Sequence, residues 1–516
     1  MRKSSLKRML EAAETGNLEL NAKNSKSEPA LDLYDLPSNI PSEEIERVLE
    51  SVNTSEIDVQ SASDVQDLVS ETTKCLDSNR SERIQHTHDP SGYMHSEIEL
   101  DVKIKKFHSV VLDSNLIEAF IAHGGCQLFS DILVHPNEDI CIEALRVLDE
   151  LIREATVISV SLISAFSEAS LDDRLISLLP RLLNDAAGCL LGLQISSTIM
   201  SANQNICPPA FVTCKFLNVL SQLIQDTWDL PEWLYNRSLA SEVLLDVLES
   251  IPDPVALEKC VTDDLLRVLV EFGSMTPSTS DPLAEELRDN LIDCLVAILS
   301  ISVTMRSAAG RLRCVEKFLD LTNDHHTRTK ALEVIEASIR SSPDNCCAMI
   351  QCGGLKHAGK GLVETDSPKN LELVLAILNS LLRNTSGTPH ARVVGKMIEK
   401  DFEKTRIIIE TYLGNYRRVR SLKVDSQLSE TDVYLMKCEA GLSLIQQSVV
   451  VIIRLFAEPN EVLRKRILDL LGEMKVDIQR FIRSVFEYIA MINSEDPNSD
   501  ADALREHLML FQSQAL

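Results

Sequence analysis

The chain has few of the residues that punctuate turns or favour strands. Only 17 glycines and 18 prolines occur in 516 residues, and aromatic residues make up 4%. Glycine and proline mark turns, and aromatic residues are enriched in strands, so this scarcity argues against a fold of many short strands. Hydrophobic residues make up 44% of the chain, which suffices for a large core and excludes wholesale disorder.

Basic residues are also scarce. The 51 lysines and arginines are outnumbered by 78 aspartates and glutamates, so the formal net charge is −27. Nucleic-acid phosphates are held by clustered lysine and arginine, so we expect no direct, sequence-specific nucleic-acid binding. An acidic surface favours a basic partner instead.

The thirteen cysteines are scattered and form no CxxC pair. The closest group is Cys346, Cys347 and Cys352. Zinc fingers and dithiol redox sites need paired cysteines at short spacing, so neither is predicted. We expect reduced thiols that fill helix packing in the cytosol or nucleus, and no metal.

No membrane segment or secretory signal is predicted. The apolar stretches Leu291–Met305 and Leu442–Phe456 are shorter than the ~20 residues that a span needs. The first residues are basic but lack an apolar signal core. Arg2, Lys3, Lys7 and Arg8 fit either a nuclear import signal or a solvated terminus.

The motifs of common enzymes are missing. GxxxxGK[ST], GxSxG and HExxH do not occur, and Gly359-Lys-Gly361 has the wrong spacing for a phosphate loop. We therefore predict no catalytic residues and no cofactor, and interpret the chain as non-enzymatic.

Helical periodicity dominates from about residue 101 onward. Within 138–151 the apolar residues Ile140, Ala144, Val147 and Leu151 form one stripe of an amphipathic helix. Alternating strand patterns bounded by hairpin turns are absent from the sequence. The predicted class is all-α.

The stretch from Leu116 to Leu151 reads as three helices, with Gly124 and Gly125 between the first two. This pattern resembles the armadillo repeat, in which two glycines allow a sharp bend. A second copy occurs at Gly353 and Gly354. Two signatures so far apart indicate an array of repeats.

One solvent-facing position of the third helices, the third-helix column, sets the repeat length. Aligning the apolar stripes places it at Arg146, Gln194, Asp246, Asp293, Glu333 and Ala376. The steps of 40–52 residues lie near the ~40–47-residue period of armadillo or HEAT units. We predict about six degenerate repeats over residues 110–390, each covering the apolar face of its neighbour.

The rest of the chain divides around this array. Residues 1–60 are predicted to be a flexible polar tail with short helices, and residues 61–109 an N-terminal helical segment. Residues 391–516 are predicted to be longer helices that cap the array or mediate a homodimer. These helices are expected at Arg392–Tyr416, Glu430–Glu458, Glu461–Glu473, Val476–Ile492 and Ala501–Gln512.

The third-helix column is acidic over three successive repeats. We predict a peptide-binding surface formed by Glu150, Asp246, Asp293, Glu333 and Glu336. Packed helices lie ~8–10 Å apart and an extended peptide advances ~3.3 Å per residue, so each repeat would meet about every third residue. A basic tail would gain orientation and association rate. Ordinary solvated helix faces are the alternative interpretation.

Two further features each have two interpretations. Arg417, Arg418, Arg420 and Lys423 form a dense basic cluster at a predicted helix end. It fits either favourable charge at a helix C-terminus or contact with RNA or an acidic partner. Trp228 and Trp233 could anchor a partner or pack beneath a loop.

Several segments carry a more specific resemblance, in order along the chain. They are residues 89–101 (DPSGYMHSEIELD), 241–244 (SEVL), 328–334 (RTKALEV), 378–384 (LNSLLRN), 432–435 (DVYL) and 440–442 (AGL). Together they resemble the beta-catenin-like protein 1 family over roughly residues 60–492.

The resemblance implies a nuclear armadillo protein that associates with the spliceosome's nineteen complex. It also implies binding to basic nuclear-localisation segments of splicing factors, as an adaptor in pre-mRNA splicing. A catenin-like cytoplasmic or adhesion scaffold and a nuclear transport receptor are the alternatives. The family's individual binding residues are not transferred, so the predicted site rests on the column.

Overall fold

A computed structural model describes residues 59–154, 159–202, 208–275, 281–364, 367–423, 429–495 and 500–515. All regular structure within these ranges is helical, which confirms the all-α prediction. The predicted import signal and nearly all of the predicted polar tail lie outside the described residues.

The N-terminal segment contains α1 (Ala62–Gln85) and α2 (Met94–Lys105). Backbone contacts divide the chain into two compact units, and the described part of the first is Cys75–Leu100. Within it, the buried Asn79 side chain donates to Ser96 Oγ at 3.0 Å. Arg83 binds Glu97 at 2.7 Å and lies 4.3 Å from the Tyr93 ring centre. Polar contacts therefore hold much of the 89–101 segment in place.

The described residues of the second unit lie within 59–74 and 101–515, with the gaps given above. Its helices run in repeated groups along the chain. They are α3 (Ser114–Ala122), α4 (Gly125–Ile132), α5 (Glu138–Glu154), α6 (Ser159–Glu168), α7 (Leu171–Leu178), α8 (Ala186–Ala202), α9 (Cys214–Asp226), α10 (Leu234–Glu249), α11 (Pro254–Cys260), α12 (Asp263–Gly273), α13 (Pro282–Ile301), α14 (Val303–Arg311), α15 (Cys314–Leu319), α16 (Arg328–Ile339), α17 (Pro343–Gln351), α18 (Gly354–Val363) and α19 (Pro368–Asn384).

The third helices of the repeats are α5, α8, α10, α13, α16 and α19, and each packs against the next. Their apolar stripes face this contact. Leu244 and Val247 of α10 and Leu291 and Leu295 of α13 are completely buried. Each such side chain contributes ~1.5–3 kcal/mol relative to exposure, so the stacked third helices form the core of an armadillo-type α-solenoid.

Sharp bends separate the first and second helices of four repeats. Gly124 (φ 83°) and Gly353 (φ 90°) adopt the left-handed conformation, which confirms the bends predicted from the paired glycines. Ser170 (φ 55°) and Arg313 (φ 58°) occupy the corresponding place before α7 and α15. The same backbone geometry therefore recurs where the glycine is missing.

The C-terminal helices are α20 (Gly387–Arg420), α21 (Glu430–Glu439), α22 (Leu442–Ala457), α23 (Glu461–Glu473), α24 (Ile478–Glu495) and α25 (Ala501–Ala515). The prediction of a continuous helix was wrong in two places. The helix expected at Glu430–Glu458 breaks at Gly441, whose φ of 109° is again left-handed. This bend repeats the geometry found at Gly124.

The helix expected at Arg392–Tyr416 is longer and is interrupted. Glu399 is extended, and the next three residues, Lys400 to Phe402, adopt left-handed dihedral angles. Phe402 is buried at this point, and Thr405 Oγ1 donates to the Met397 carbonyl across the interruption at 3.0 Å. Burial of Phe402 and this hydrogen bond offset the backbone strain, which periodicity alone does not reveal.

The last helices close the core. Helix α22 packs on α19 and so continues the stack of third helices, and α25 packs on α22 and α24. Phe511 of α25 lies 4.9 Å from Phe456 and 5.4 Å from Phe481, measured between ring centres. The final helix therefore covers apolar surface at the end of the stack, as expected of a helical cap.

No single helix in the described ranges is long and apolar enough to cross a membrane. The two helices Thr431–Glu439 and Leu442–Ala457 have the length and apolar composition of a membrane span only when they are taken together, and a bend of 68° separates them. Most of α22 is buried against other helices.

The bends generate a prediction with opposite outcomes at two matched positions. Replacing Arg313 with glycine should raise the free energy of unfolding by ~0.5–1 kcal/mol, because glycine adopts positive φ without steric cost. The urea concentration at the unfolding midpoint should rise accordingly. The exposed Arg313–Glu316 contact, at 3.6 Å, contributes little that would be lost.

The control is Gly353→Ala. No atom lies within 4 Å of the added Cβ, so any loss reports backbone strain alone. We expect Gly353→Ala to lower the free energy of unfolding by ~1 kcal/mol, and the urea midpoint with it. An unchanged or lower midpoint for Arg313→Gly, measured by urea unfolding with circular dichroism, contradicts the assignment of strain to this bend.

Candidate functional site

The acidic members of the third-helix column lie on successive packed helices. Asp246 is on α10, Asp293 on α13 and Glu333 on α16, and these three helices pack in that order. The predicted alignment of neighbouring third helices is visible in their side-chain contacts. Lys330 of α16 reaches Asp293, and Lys369 of α19 reaches Glu333 at 3.6 Å.

These contacts change the electrostatics of two predicted site residues. Asp293 and Lys330 form an ion pair in which only 18% and 12% of the side chains are exposed. Glu333 is partly exposed and its lysine partner is more so. The sequence analysis counted the carboxylates and missed the two lysines. Lys330 stands one helical turn before Glu333, so the spacing held a usable signal.

The remaining two predicted residues also have partners. Both Glu336 oxygens bind the guanidinium of Arg340, the residue that follows α16, at 3.1 and 2.5 Å. Glu150 Oε2 lies 2.6 Å from His108 Nδ1, while His108 Nε2 lies 3.1 Å from Glu143 Oε1. Hydrogen bonding to Glu143, together with Glu150, raises the pKa of His108 despite its partial burial. Glu150 thus belongs to a local cluster on α5 rather than to the acidic column.

Asp246 differs from the other members of the column. Neither it nor Glu249, one turn further along α10, has a basic group within 4 Å in the described part of the chain. Although Asp246 is exposed, loss of hydration among the surrounding protein atoms, with repulsion from Glu249, raises its pKa to about 6. Such a carboxylate gains more from an added cation than a fully hydrated one does.

Three carboxylates converge near one buried thiol. Burial raises the pKa of Cys294 well above its usual range, and Asp293, Glu249 and Asp246 add to this effect. The three carboxylates lie on α10 and α13, which pack against each other, and Asp293 is the sequence neighbour of Cys294. Lys330 compensates one of them, so this part of the surface keeps a local excess of negative charge.

Other predicted features were resolved in favour of packing. Trp233 is buried, and Trp228 stacks on Phe272 with ring centres 4.1 Å apart. The Arg237 guanidinium lies 5.6 Å from the Trp228 ring centre. The tryptophans therefore pack beneath their loop, and the interpretation as partner anchors is set aside.

The described residues form no group of three or more histidine, cysteine or carboxylate side chains able to hold a metal ion. A recess lined by Thr322, Arg328, His357 and Lys360 has a volume of about 30 Å³. That is room for about two water molecules, not for an organic substrate. What the acidic surface can do chemically is bind cations.

Comparison with known proteins places these observations in a family. A model of the family described as catenin-beta-like, Arm-motif containing nuclear matches residues 43–487. Beta-catenin-like protein 1 homolog from Schizosaccharomyces pombe is 24% identical over 465 residues, covering 83% of this chain and 78% of that protein. Beta-catenin-like protein 1 from Homo sapiens is 24% identical over 401 residues and 71% of each chain.

Among solved structures, one from work on a phosphorylation switch between cadherin and beta-catenin is 11% identical to this chain. It covers 88% of this chain and 97% of its own, with a TM-score of 0.46. At that score we draw nothing further from the likeness.

The raised pKa of Asp246 generates a pH-dependent prediction. The carboxyl group binds its proton more tightly in the folded chain than in the unfolded one, where its pKa is 3.8. The folded state therefore holds more protons between about pH 4 and 6, and stability falls as the pH rises through that window.

Asparagine at position 246 cannot ionise and should remove this loss. We expect Asp246→Asn to match the wild-type melting temperature near pH 4 and to exceed it at pH 7. The measurement is thermal unfolding by circular dichroism at pH 4, 5, 6 and 7. A difference that stays constant over this range would refute the raised pKa.

Proposed function

This chain belongs to the catenin-beta-like, Arm-motif containing nuclear family, and from that premise we propose that it is a nuclear, non-enzymatic adaptor in pre-mRNA splicing. In this role it docks basic, nuclear-localisation-type segments of splicing factors, including components of the nineteen complex. The docking surface is the acidic third-helix column, centred on Asp246.

The uncompensated pair Asp246 and Glu249 is the observation that carries the docking proposal. A lysine or arginine of a ligand finds two carboxylates there with no basic partner among the described residues. Because Asp246 has a pKa of about 6, part of its population is protonated near pH 6. A bound cation favours the ionised form, so binding lowers this pKa and couples to proton release.

The ion pairs within the chain determine how much each other member of the column is expected to contribute to ligand binding. A ligand cation at Asp293 must share the carboxylate with Lys330, in a pair that is mostly shielded from water. The Glu333–Lys369 contact is longer and more exposed, and is therefore easier to exchange. We rank the contributions to binding as Asp246 first, Glu333 second and Asp293 third. Glu336 and Glu150, held by Arg340 and His108, contribute mainly long-range attraction.

This ranking makes the proposal testable with a defined ligand. The probe is a fluorescein-labelled peptide rich in lysine and arginine, measured by anisotropy at physiological salt. Charge reversal of Asp246, Asp293 and Glu333 to lysine should abolish its binding. Asp246→Asn alone should weaken it about three- to tenfold, since it removes the best charge-assisted contact.

The matched control reverses three exposed carboxylates outside the column, at Glu118, Glu410 and Glu487. It changes the net charge equally, and we expect most of the affinity to remain. Since lysine at 293 would face Lys330, the milder variant D246N/D293N/E333Q guards against misfolding. Unchanged affinity in that folded variant, or equal loss in the control, would rule out the acidic column as the docking surface.

Purification of the full chain with its partners from nuclear extract tests the splicing assignment separately. Spliceosomal proteins and snRNAs are the expected partners. Recovery of only adhesion or actin proteins would favour a catenin-type scaffold. Recovery of an importin-beta partner or a nucleotide-bound small GTPase would favour a transport receptor.

A further inference from the structure

A basic surface lies at the end of α20. Arg417, Arg418, Arg420 and Lys423 are all exposed, within and just beyond the last two turns of this helix. None of the four lies within 4 Å of a carboxylate in the described part of the chain. In a protein with a net charge of −27, four neighbouring cations that have no acidic partner among the described residues need a physical reason.

Capping of the helix is not that reason. Elsewhere arginines bind the carbonyls of helix ends, as Arg306 does at Leu299 (2.6 Å) and Arg464 at Phe456 (2.9 Å). At the end of α20 the Ser421 N–H donates to the carbonyls of Arg417 and Arg418, both at 3.1 Å. The guanidinium groups are not used for that purpose. The helix dipole favours positive charge there, but it acts as only about half a charge.

Exposed apolar side chains lie on the neighbouring helix. Tyr434 and Leu435 of α21 are 47% and 54% exposed. The bend at the end of α21 borders the basic cluster. Arg418 Nη1 lies 3.4 Å from Asn415 Oδ1, and a Cβ built on Gly441 would lie 2.3 Å from that same oxygen. Cations and apolar side chains thus occur on adjoining elements.

We propose that the α20–α21 surface, formed by Arg417, Arg418, Arg420, Lys423, Tyr434 and Leu435, binds an acidic segment of a partner protein that carries spaced apolar residues. The carboxylates of the segment pair with the arginines, whose planar groups match carboxylates in two-point contacts. Its apolar side chains cover Tyr434 and Leu435. Asp432 and Glu439 of α21 are exposed, so they direct the acidic part of the ligand toward α20.

The composition of this surface favours a peptide over nucleic acid. Single-stranded nucleic acid needs a series of aromatic rings for successive bases, whereas the exposed pair here is one tyrosine and one leucine. Leu435 offers an aliphatic surface that an apolar side chain covers better than a base or sugar does. The strong negative charge of the whole chain also repels a long polyanion more than a short acidic segment. The proposal is independent of the acidic column, which has the opposite sign.

The test uses the full chain and a labelled synthetic peptide of glutamate, aspartate and leucine, with leucine at every fourth position. Anisotropy at physiological salt measures its binding. We expect R417Q/R418Q/R420Q to weaken binding about tenfold, in line with the loss of three exposed ion pairs. Tyr434→Ser combined with Leu435→Ser should weaken it by a similar factor. Neither variant should alter binding of the basic peptide used above.

The matched control is R174Q/R311Q/K356Q, which removes three exposed cations from other helices. Circular dichroism confirms that each variant is folded. Absence of binding to wild-type protein would overturn the proposal, and so would equal loss in the control. Binding of an oligouridylate RNA in place of the peptide, lost in R417Q/R418Q/R420Q, would reassign the surface to nucleic acid.

Discussion

Each third helix has an apolar face that its own repeat cannot cover, so it packs against the third helix of the next repeat. This constraint fixes which residues can vary. Positions such as Leu244 and Leu291 are completely buried at these contacts. Most exposed polar residues lie on the remaining face of the same helices, where successive repeats bring them close together, although some polar residues such as Ser241 and Ser338 are buried. The stacking that builds the core therefore also aligns the side chains that are available for binding.

The same constraint explains what could be predicted from sequence. Apolar stripes with a helical period identify the third helices, because their burial leaves little freedom of residue type. The bends between first and second helices are harder to recognise. They are visible at Gly124 and Gly353, where glycine removes the cost of positive φ. They are hidden at Ser170 and Arg313, where the packing of the adjoining helices enforces the same conformation. The left-handed turn at Lys400 to Phe402 is hidden for the same reason.

For the candidate site, sequence register placed Asp246, Asp293 and Glu333 on adjoining helices but did not reveal their charge balance. Whether a carboxylate is compensated depends on which residue of the next helix reaches it. That depends on how two helices cross, which a single helical pattern does not specify. The sequence spacing places Lys330 near Glu333, but its partner Asp293 on the neighbouring helix, and the Lys369–Glu333 pair, emerged only from the structure. The uncompensated state of Asp246 has the same origin, since no base of the neighbouring helices within the described ranges reaches it.

Compensation also limits how an acidic protein can discriminate among partners. If every carboxylate of the column were free, any polycation would bind along it, and salt would screen the attraction equally for all of them. Pairing Asp293 and Glu333 internally leaves the strongest attraction at Asp246 and Glu249. In the proposed docking, a ligand places a cation at that position and displaces or accommodates Lys330 and Lys369, which lie further along the stack on α16 and α19. Under that proposal the spacing of cations in the ligand becomes a source of specificity, and the internal lysines act against ligands with the wrong spacing.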